Sequence, residues 1–223
     1  MAKIWIVVQQ RDGKLHRMSR EALAAGAALA AATGGAAEAV VLGHGVGELA
    51  REIACDELAA VHLADHPALA TYTPGAYVGA LRQALAAHRP QVVVFAHTYQ
   101  TVDYLGRLAQ AVDGTLVPEV VGFALGEEGL TWQRPVLGGK LQATVRSKGP
   151  EPVLVSVQSG AFAALQGAAA ARPLRELALD PAEVVADREI LGVEEAAGEQ
   201  VDLAAAPIIV GVGRGIGEKD KMG

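Results

Sequence analysis

Gln91-Val92-Val93-Val94-Phe95-Ala96 is an unbroken apolar run, and it gives way at once to the polar stretch His97-Thr98-Tyr99-Gln100-Thr101. A short run of β-branched and aromatic residues bounded by such a change reads as a strand buried on both faces, the kind found in parallel sheets. Arg89-Pro90 closes off whatever precedes it, and residues 102–112 read as the helix that follows. Ligands of open parallel sheets gather at such strand ends.

The same unit recurs towards the amino terminus. Ile4 to Val8 reads as a strand, Arg11-Asp12-Gly13-Lys14 as a turn, and Ser19 as the cap of an alanine-rich helix that Gly34-Gly35 stops. Ala39 to Leu42 and Ala60 to Leu63 are further strands, separated by the turn Gly43-His44-Gly45-Val46-Gly47 and a helix over residues 48–53. Tyr72-Thr73-Pro74-Gly75 opens a helix running to His88, with Pro74 tolerated in the first turn, where its missing amide needs no partner. Strands alternating with helices predict an α/β fold with a mostly parallel sheet flanked by helices.

After Asp113-Gly114 the rhythm changes. Residues 116–125, 130–133, 142–146 and 152–158 read as strands separated by glycine- and glutamate-bearing turns, and antiparallel pairing is expected there. Pro173 and Pro181 forbid a long helix over residues 172–186. These features divide the chain into an α/β domain over residues 1–190, an acidic linker over 191–206, and a second domain beginning at 207–223 with an apolar strand and the run Gly211-Val212-Gly213-Arg214-Gly215-Ile216-Gly217.

With 223 residues, 51% of them apolar and only 4% aromatic, the chain can fill a core with Ala, Val and Leu. A net charge of -6 argues against nucleic acid as the main ligand, and the nearest basic run, Lys140, Arg146 and Lys148, is sparse. The single cysteine, Cys55, allows no internal disulfide and fits a reducing cytoplasm. Lys3-Ile4-Trp5-Ile6 follows Met1 almost directly, so no targeting peptide is expected, and no apolar run approaches the roughly 20 residues of a membrane span.

Gly211, Gly213, Gly215 and Gly217 would let backbone amides approach a pyrophosphate, and Arg214 adds a cation for a phosphate or a reduced flavin. Their spacing is not a Rossmann fingerprint. His97, Thr98, Tyr99, Thr101 and Asp103 offer donors and acceptors to a nucleotide or a partner, or simply cap the next helix. His62, Asp65 and His66 are close in sequence but read as a solvated turn rather than metal ligands, and Glu48 already complements the helix after Gly43–Gly47. Cys55 has no His or second Cys nearby to activate it and reads as structural; no catalytic residue is expected.

Taken in order, several stretches resemble the electron transfer flavoprotein α subunit. They are the first strand with Ser19-Arg20-Glu21-Ala22-Leu23, Val94-Phe95-Ala96-His97-Thr98 with Asp103 and Arg107, Arg134-Pro135-Val136-Leu137-Gly138-Gly139-Lys140-Leu141-Gln142-Ala143-Thr144-Val145, Val155 to Phe162, and Val212-Gly213-Arg214-Gly215. Departures occur at Thr101-Val102-Asp103, where Gly-Arg-Asp is usual, and at Gly106 and Gln158. The resemblance implies a scaffold of the adenine nucleotide alpha hydrolase-like kind and a FAD-binding domain that starts near residue 207. It also implies a heterodimer with a β subunit that carries electrons from flavin dehydrogenases, such as acyl-CoA dehydrogenases of fatty acid β-oxidation, to a quinone reductase. Arg214, with Gly213 and Gly215, is the part of the FAD site it assigns to this chain. The alternative left open is a single α/β domain binding a nucleotide through the loops after Leu42 and Ala96.

Overall fold

The structure, a computed structural model, describes residues 2–167, 170–192, 208–213, 215 and 217. The chain divides into two units, Met1–Glu189 and Ile190–Gly223. In the first, β1 (Lys3–Val8) leads through a tight ribbon, β2 (Gln10–Arg11) and β3 (Lys14–Leu15), into α1 (Arg17–Thr33), then β4 (Ala36–Gly43), α2 (Gly47–Ile53), β5 (Ala60–Asp65), α3 (Pro74–His88), β6 (Val92–Ala96) and α4 (Tyr99–Ala111). Then come β7 (Thr115–Val120), β8 (Gly122–Gly126), β9 (Gly129–Val136), β10 (Leu141–Val145), β11 (Val153–Val157) and β12 (Leu174–Glu176).

Seven strands form one sheet in the order β12-β5-β4-β1-β6-β11-β7, and every pairing in it is parallel. Alternate residues of each strand serve opposite faces. Ile4, Ile6, Val41, Val61, Val94 and Val155 pack under α1 and α2, whereas Trp5, Val7, Val40, Val93, Phe95 and Leu154 pack under α3 and α4. Gly26 lets α1 lie close to the sheet, since a Cβ there would run into the Ile6 side chain.

Beyond the β2–β3 ribbon, antiparallel pairing among the described residues is found in the separate sheet β10-β9-β8, inserted between β7 and β11. The expected antiparallel run over residues 116–125 and 152–158 is therefore corrected. It breaks after Val120, and β7 and β11 rejoin the parallel sheet because both carry apolar residues that α4 and α1 can cover. Ser19 does not cap α1: His16 does, its ring accepting from the Met18 amide, while Ser19 is buried and bonds the backbone of Gln9. α4 starts at Tyr99, earlier than expected, because the Thr98 hydroxyl caps it.

Beyond β11 the chain wraps the domain. Leu165 and Ala170 bond the carbonyls of Arg20 and Ala54, and Arg172 holds Cys55 and Asp56. β12, not foreseen from the sequence, then covers the edge of β5, after which Leu177 and Val184 are buried on the α3 side. Glu183 pairs with Arg82, and Asp187 accepts from the Gly75 amide at 3.0 Å and from Arg107 at 2.7 Å. In the second unit, Ile208–Gly213 form no strand, since a lone strand has no neighbour with which to build a ladder. The expected linker, residues 191–206, lies outside the described residues from 193 onward.

One buried charge stitches four neighbouring strands together. Glu38 on β4 accepts from Trp5 Nε1 on β1 at 3.0 Å and from His62 Nε2 on β5 at 3.0 Å, and pairs with Arg175 of β12 at 3.3 Å. The His62 hydrogen bond, then the Trp5 N–H and nearby positive charge, outweigh burial and hold the Glu38 carboxyl down at about 2, from an ordinary 4.5. A depressed carboxyl stabilises the fold fully above its unfolded value, and that contribution fades as pH falls towards the folded one. Replacing Glu38→Gln should remove on the order of 3 kcal/mol at neutral pH and flatten the dependence of stability on pH between about 5 and 2, as read by chemical denaturation at several pH values.

Candidate functional site

The chain places β4 and β5 on one side of β1 and then returns to place β6 on the other. That reversal opens a crevice beyond the carboxyl ends of β1 and β6, the usual ligand position in sheets of this kind. Gln9, His97, Thr98 and Thr101 collect there, and Gln9, Thr98 and Thr101 already bond one another. The Thr98 hydroxyl donates to Gln9 Oε1 at 2.5 Å and accepts from the Thr101 amide at 3.1 Å. Ser19 holds the Gln9 amide and carbonyl at 2.9 and 3.0 Å. Asp103 accepts from Tyr72 at 2.8 Å, and Tyr99 stands fully exposed at the start of α4.

His97 engages a second set of partners. Its Nδ1 lies 2.8 Å from Ser156 Oγ on β11 and its Nε2 3.4 Å from Glu119 Oε1 on β7. Ser156 Oγ also accepts from the Glu119 amide at 3.3 Å; with the imidazole proton on Nε2, towards the carboxylate, Oγ donates to Nδ1. Glu119 adopts a left-handed backbone, φ 57°. A Ser-His-Glu set has assembled, but the hydroxyl is fully buried and serves an amide, so it positions Glu119 rather than attacking a substrate. Sequence reading missed Ser156 and Glu119. Their signal was a polar residue breaking each of two apolar strands, Val-Pro-Glu-Val and Val-Leu-Val-Ser-Val.

Next to Glu119, Arg134 Nη2 stands 3.8 Å from Oε2, and Arg134 Nε is buried with no hydrogen-bond partner among the described residues. The two residues line a cavity of about 510 Å³ with Gly138, Gly139 and Gln158. A larger cavity, about 610 Å³, lies at the opposite, amino end of β6, among Arg82, Arg89, Asp113 and Glu151. The histidine cluster proposed and set aside from sequence is dispersed: His62 is buried against Glu38, Asp65 accepts from the Gly45 and Val46 amides, and His66 caps a short 3-10 turn. Among the described residues no group of three or more potential metal ligands gathers. Burial pushes the Cys55 thiol up, which suits a structural role. Of the glycine-rich run, Gly213 and Gly215 are exposed, while Arg214 lies outside the described residues.

The model of the electron transfer flavoprotein domain matches residues 4–182. The chain belongs to the electron transfer flavoprotein family. It is 31% identical over 227 residues to the electron transfer flavoprotein subunit alpha of Thermoanaerobacterium thermosaccharolyticum, covering 97% of this chain and 66% of that protein. Similarity to the subunit alpha of Syntrophomonas wolfei is 33% over 160 residues, 72% of this chain and 49% of the relative. The acryloyl-CoA reductase electron transfer subunit beta of Anaerotignum propionicum is 28% identical over 251 residues, 99% of this chain and 67% of its own length. The chain thus spans about two thirds or less of the curated relatives it matches. Within the electron transfer flavoprotein domain, no described helix is long and apolar enough to cross a membrane.

Ser156→Ala removes a donor from His97 and an acceptor from the Glu119 amide, both at least partly buried. It should destabilise the domain by about 1–3 kcal/mol, measured as a lower midpoint in urea at unchanged slope.

Proposed function

We propose that this chain supplies the α/β scaffold, residues 1–190, of an electron transfer flavoprotein α-type subunit, with a linker over 191–206 and the start of a FAD-binding domain at 207–223. The observation that carries this reading is the similarity to subunits of that name along almost the full chain. The subunit pairs with a β subunit and passes electrons from flavin dehydrogenases to a quinone reductase in the cytoplasm, as a carrier rather than an enzyme. Two structural features support a scaffold over a nucleotide-binding domain. The polar side chains of the crevice are spent on internal bonds, and Leu125, Leu137 and Leu141 of the small sheet expose apolar surface suited to a protein partner.

FAD supplies the redox chemistry when bound, and the protein tunes it through charge and orientation. The residues present fit one part of such a group. Gly213 and Gly215 carry no side chain to obstruct a pyrophosphate, and Arg214 offers a cation that would favour anionic reduced flavin. Most contacts a dinucleotide needs would have to come from outside residues 1–223.

The test is co-expression of residues 1–223 with an electron transfer flavoprotein β subunit, followed by size-exclusion chromatography read at protein and flavin wavelengths. The chain should elute in an equimolar complex with β and, purified alone, should carry no stoichiometric yellow chromophore. A monomeric elution in the presence of β would sink this assignment, and retained flavin in the isolated chain would overturn the expectation that residues 1–223 do not hold FAD by themselves.

A further inference from the structure

We propose that the cavity between β7, the end of β11 and the β9–β10 turn is a binding site for a small oxyanion-bearing ligand, gripped by the guanidinium of Arg134. The site lies at the carboxyl ends of parallel strands, where open α/β sheets bind ligands. Its volume, about 510 Å³, suits a small molecule rather than a bare ion.

The guanidinium is held but not satisfied. Nε is buried and has no partner among the described residues, and the nearest acid to Nη2 among them, Glu119, stands at 3.8 Å, beyond hydrogen-bond reach. These two nitrogens form the planar side of arginine that takes a carboxylate or phosphate through two parallel bonds. Glu119 is prevented from closing on them by its own moorings: its amide is tied to Ser156 and its other carboxylate oxygen faces His97. Its left-handed backbone, φ 57°, fixes that posture.

The turn after β9 also lines the cavity. Leu137, Gly138 and Gly139 all have positive φ, at 54°, 66° and 82°, and neither glycine would meet a neighbour with a Cβ, so the turn is uncrowded where it lines the cavity. Gln158 completes the lining with a side-chain amide able to donate to a second oxygen. Glu119 competes with an incoming anion for Arg134 and repels it, so the resting site is self-screened and the carboxylate limits affinity.

Isothermal titration of the 223-residue chain with inorganic phosphate and, separately, malonate tests this. Saturable binding that weakens about tenfold in Arg134→Gln and tightens several-fold in Glu119→Gln supports the site. Preference for phosphate over malonate assigns a phosphorylated ligand, and the reverse a carboxylate. Arg134→Lys keeps the charge but loses the paired donors, and it covers the case in which Arg134→Gln fails to fold by circular dichroism. Absence of saturation with either probe up to about 10 mM, or an Arg134→Lys affinity equal to that of the unmodified chain, overturns the proposal.

Discussion

The parallel ladder that runs from β4 through β1 to β6 holds only if both of its faces are covered, because Ile4, Trp5, Ile6 and Val93 leave no surface to water. Burying those side chains contributes about 1.5–3 kcal/mol each for the larger ones, so stripping either helical layer would cost far more than a domain of this size can lose. The alanine and glycine content follows from the same constraint. Small residues on α1 let its axis approach the sheet, and Gly26 over Ile6 marks the closest point. Under α1 the core fills its volume by proximity, whereas the α3–α4 face uses the rings of Trp5, Tyr77, Phe95 and Tyr104.

The same economy of space explains the crevice. Side chains at the ends of β1 and β6 are short and polar, and they bond one another across the gap, fixing the entries of α1 and α4 relative to the sheet. A site that bound a nucleotide tightly here would have to break those bonds first. One shell further out, at Glu119 and Arg134, polar groups are held apart instead of joined. Satisfied groups rigidify the scaffold and unsatisfied ones retain the capacity to bind, which locates ligand chemistry at the rim rather than in the central cleft.

Much of this was legible in the sequence. Apolar runs such as Val92–Ala96 announce themselves locally, and so do helix stops such as Gly34, whose left-handed backbone the structure places where α1 ends. What stayed hidden depends on partners remote in sequence. Leu174–Glu176 is too short and polar to read as a strand, and becomes one only because β5 presents a free edge. Ser19 looks like a cap by type, but Gln9 captures its hydroxyl from outside the helix. The residues of β7 and β11 read as part of an antiparallel run because the hairpins of β8–β10 sit between them, and only burial on the large sheet separates the two ladders. Glu119 and Ser156 converge from different strands, a juxtaposition that spacing along the chain does not encode.

The segment after β11 ties these pieces together mechanically. It crosses the α1 and α2 face through backbone bonds to Arg20 and Ala54, joins the sheet edge at β12, and crosses the α3 face to finish on Asp187. Gly79 shows how closely it lies, since a Cβ there would strike the Glu183 carbonyl. Arg175 and Glu38 anchor it at the middle, and Arg107 with the Gly75 amide anchor its end. Because these attachments sit on different elements, no local opening of one helix frees the segment, and the chain leaves the first unit after Glu189 from a point fixed to both α3 and α4. A scaffold that delivers its last residues from such a point can keep its own geometry whatever those residues go on to hold.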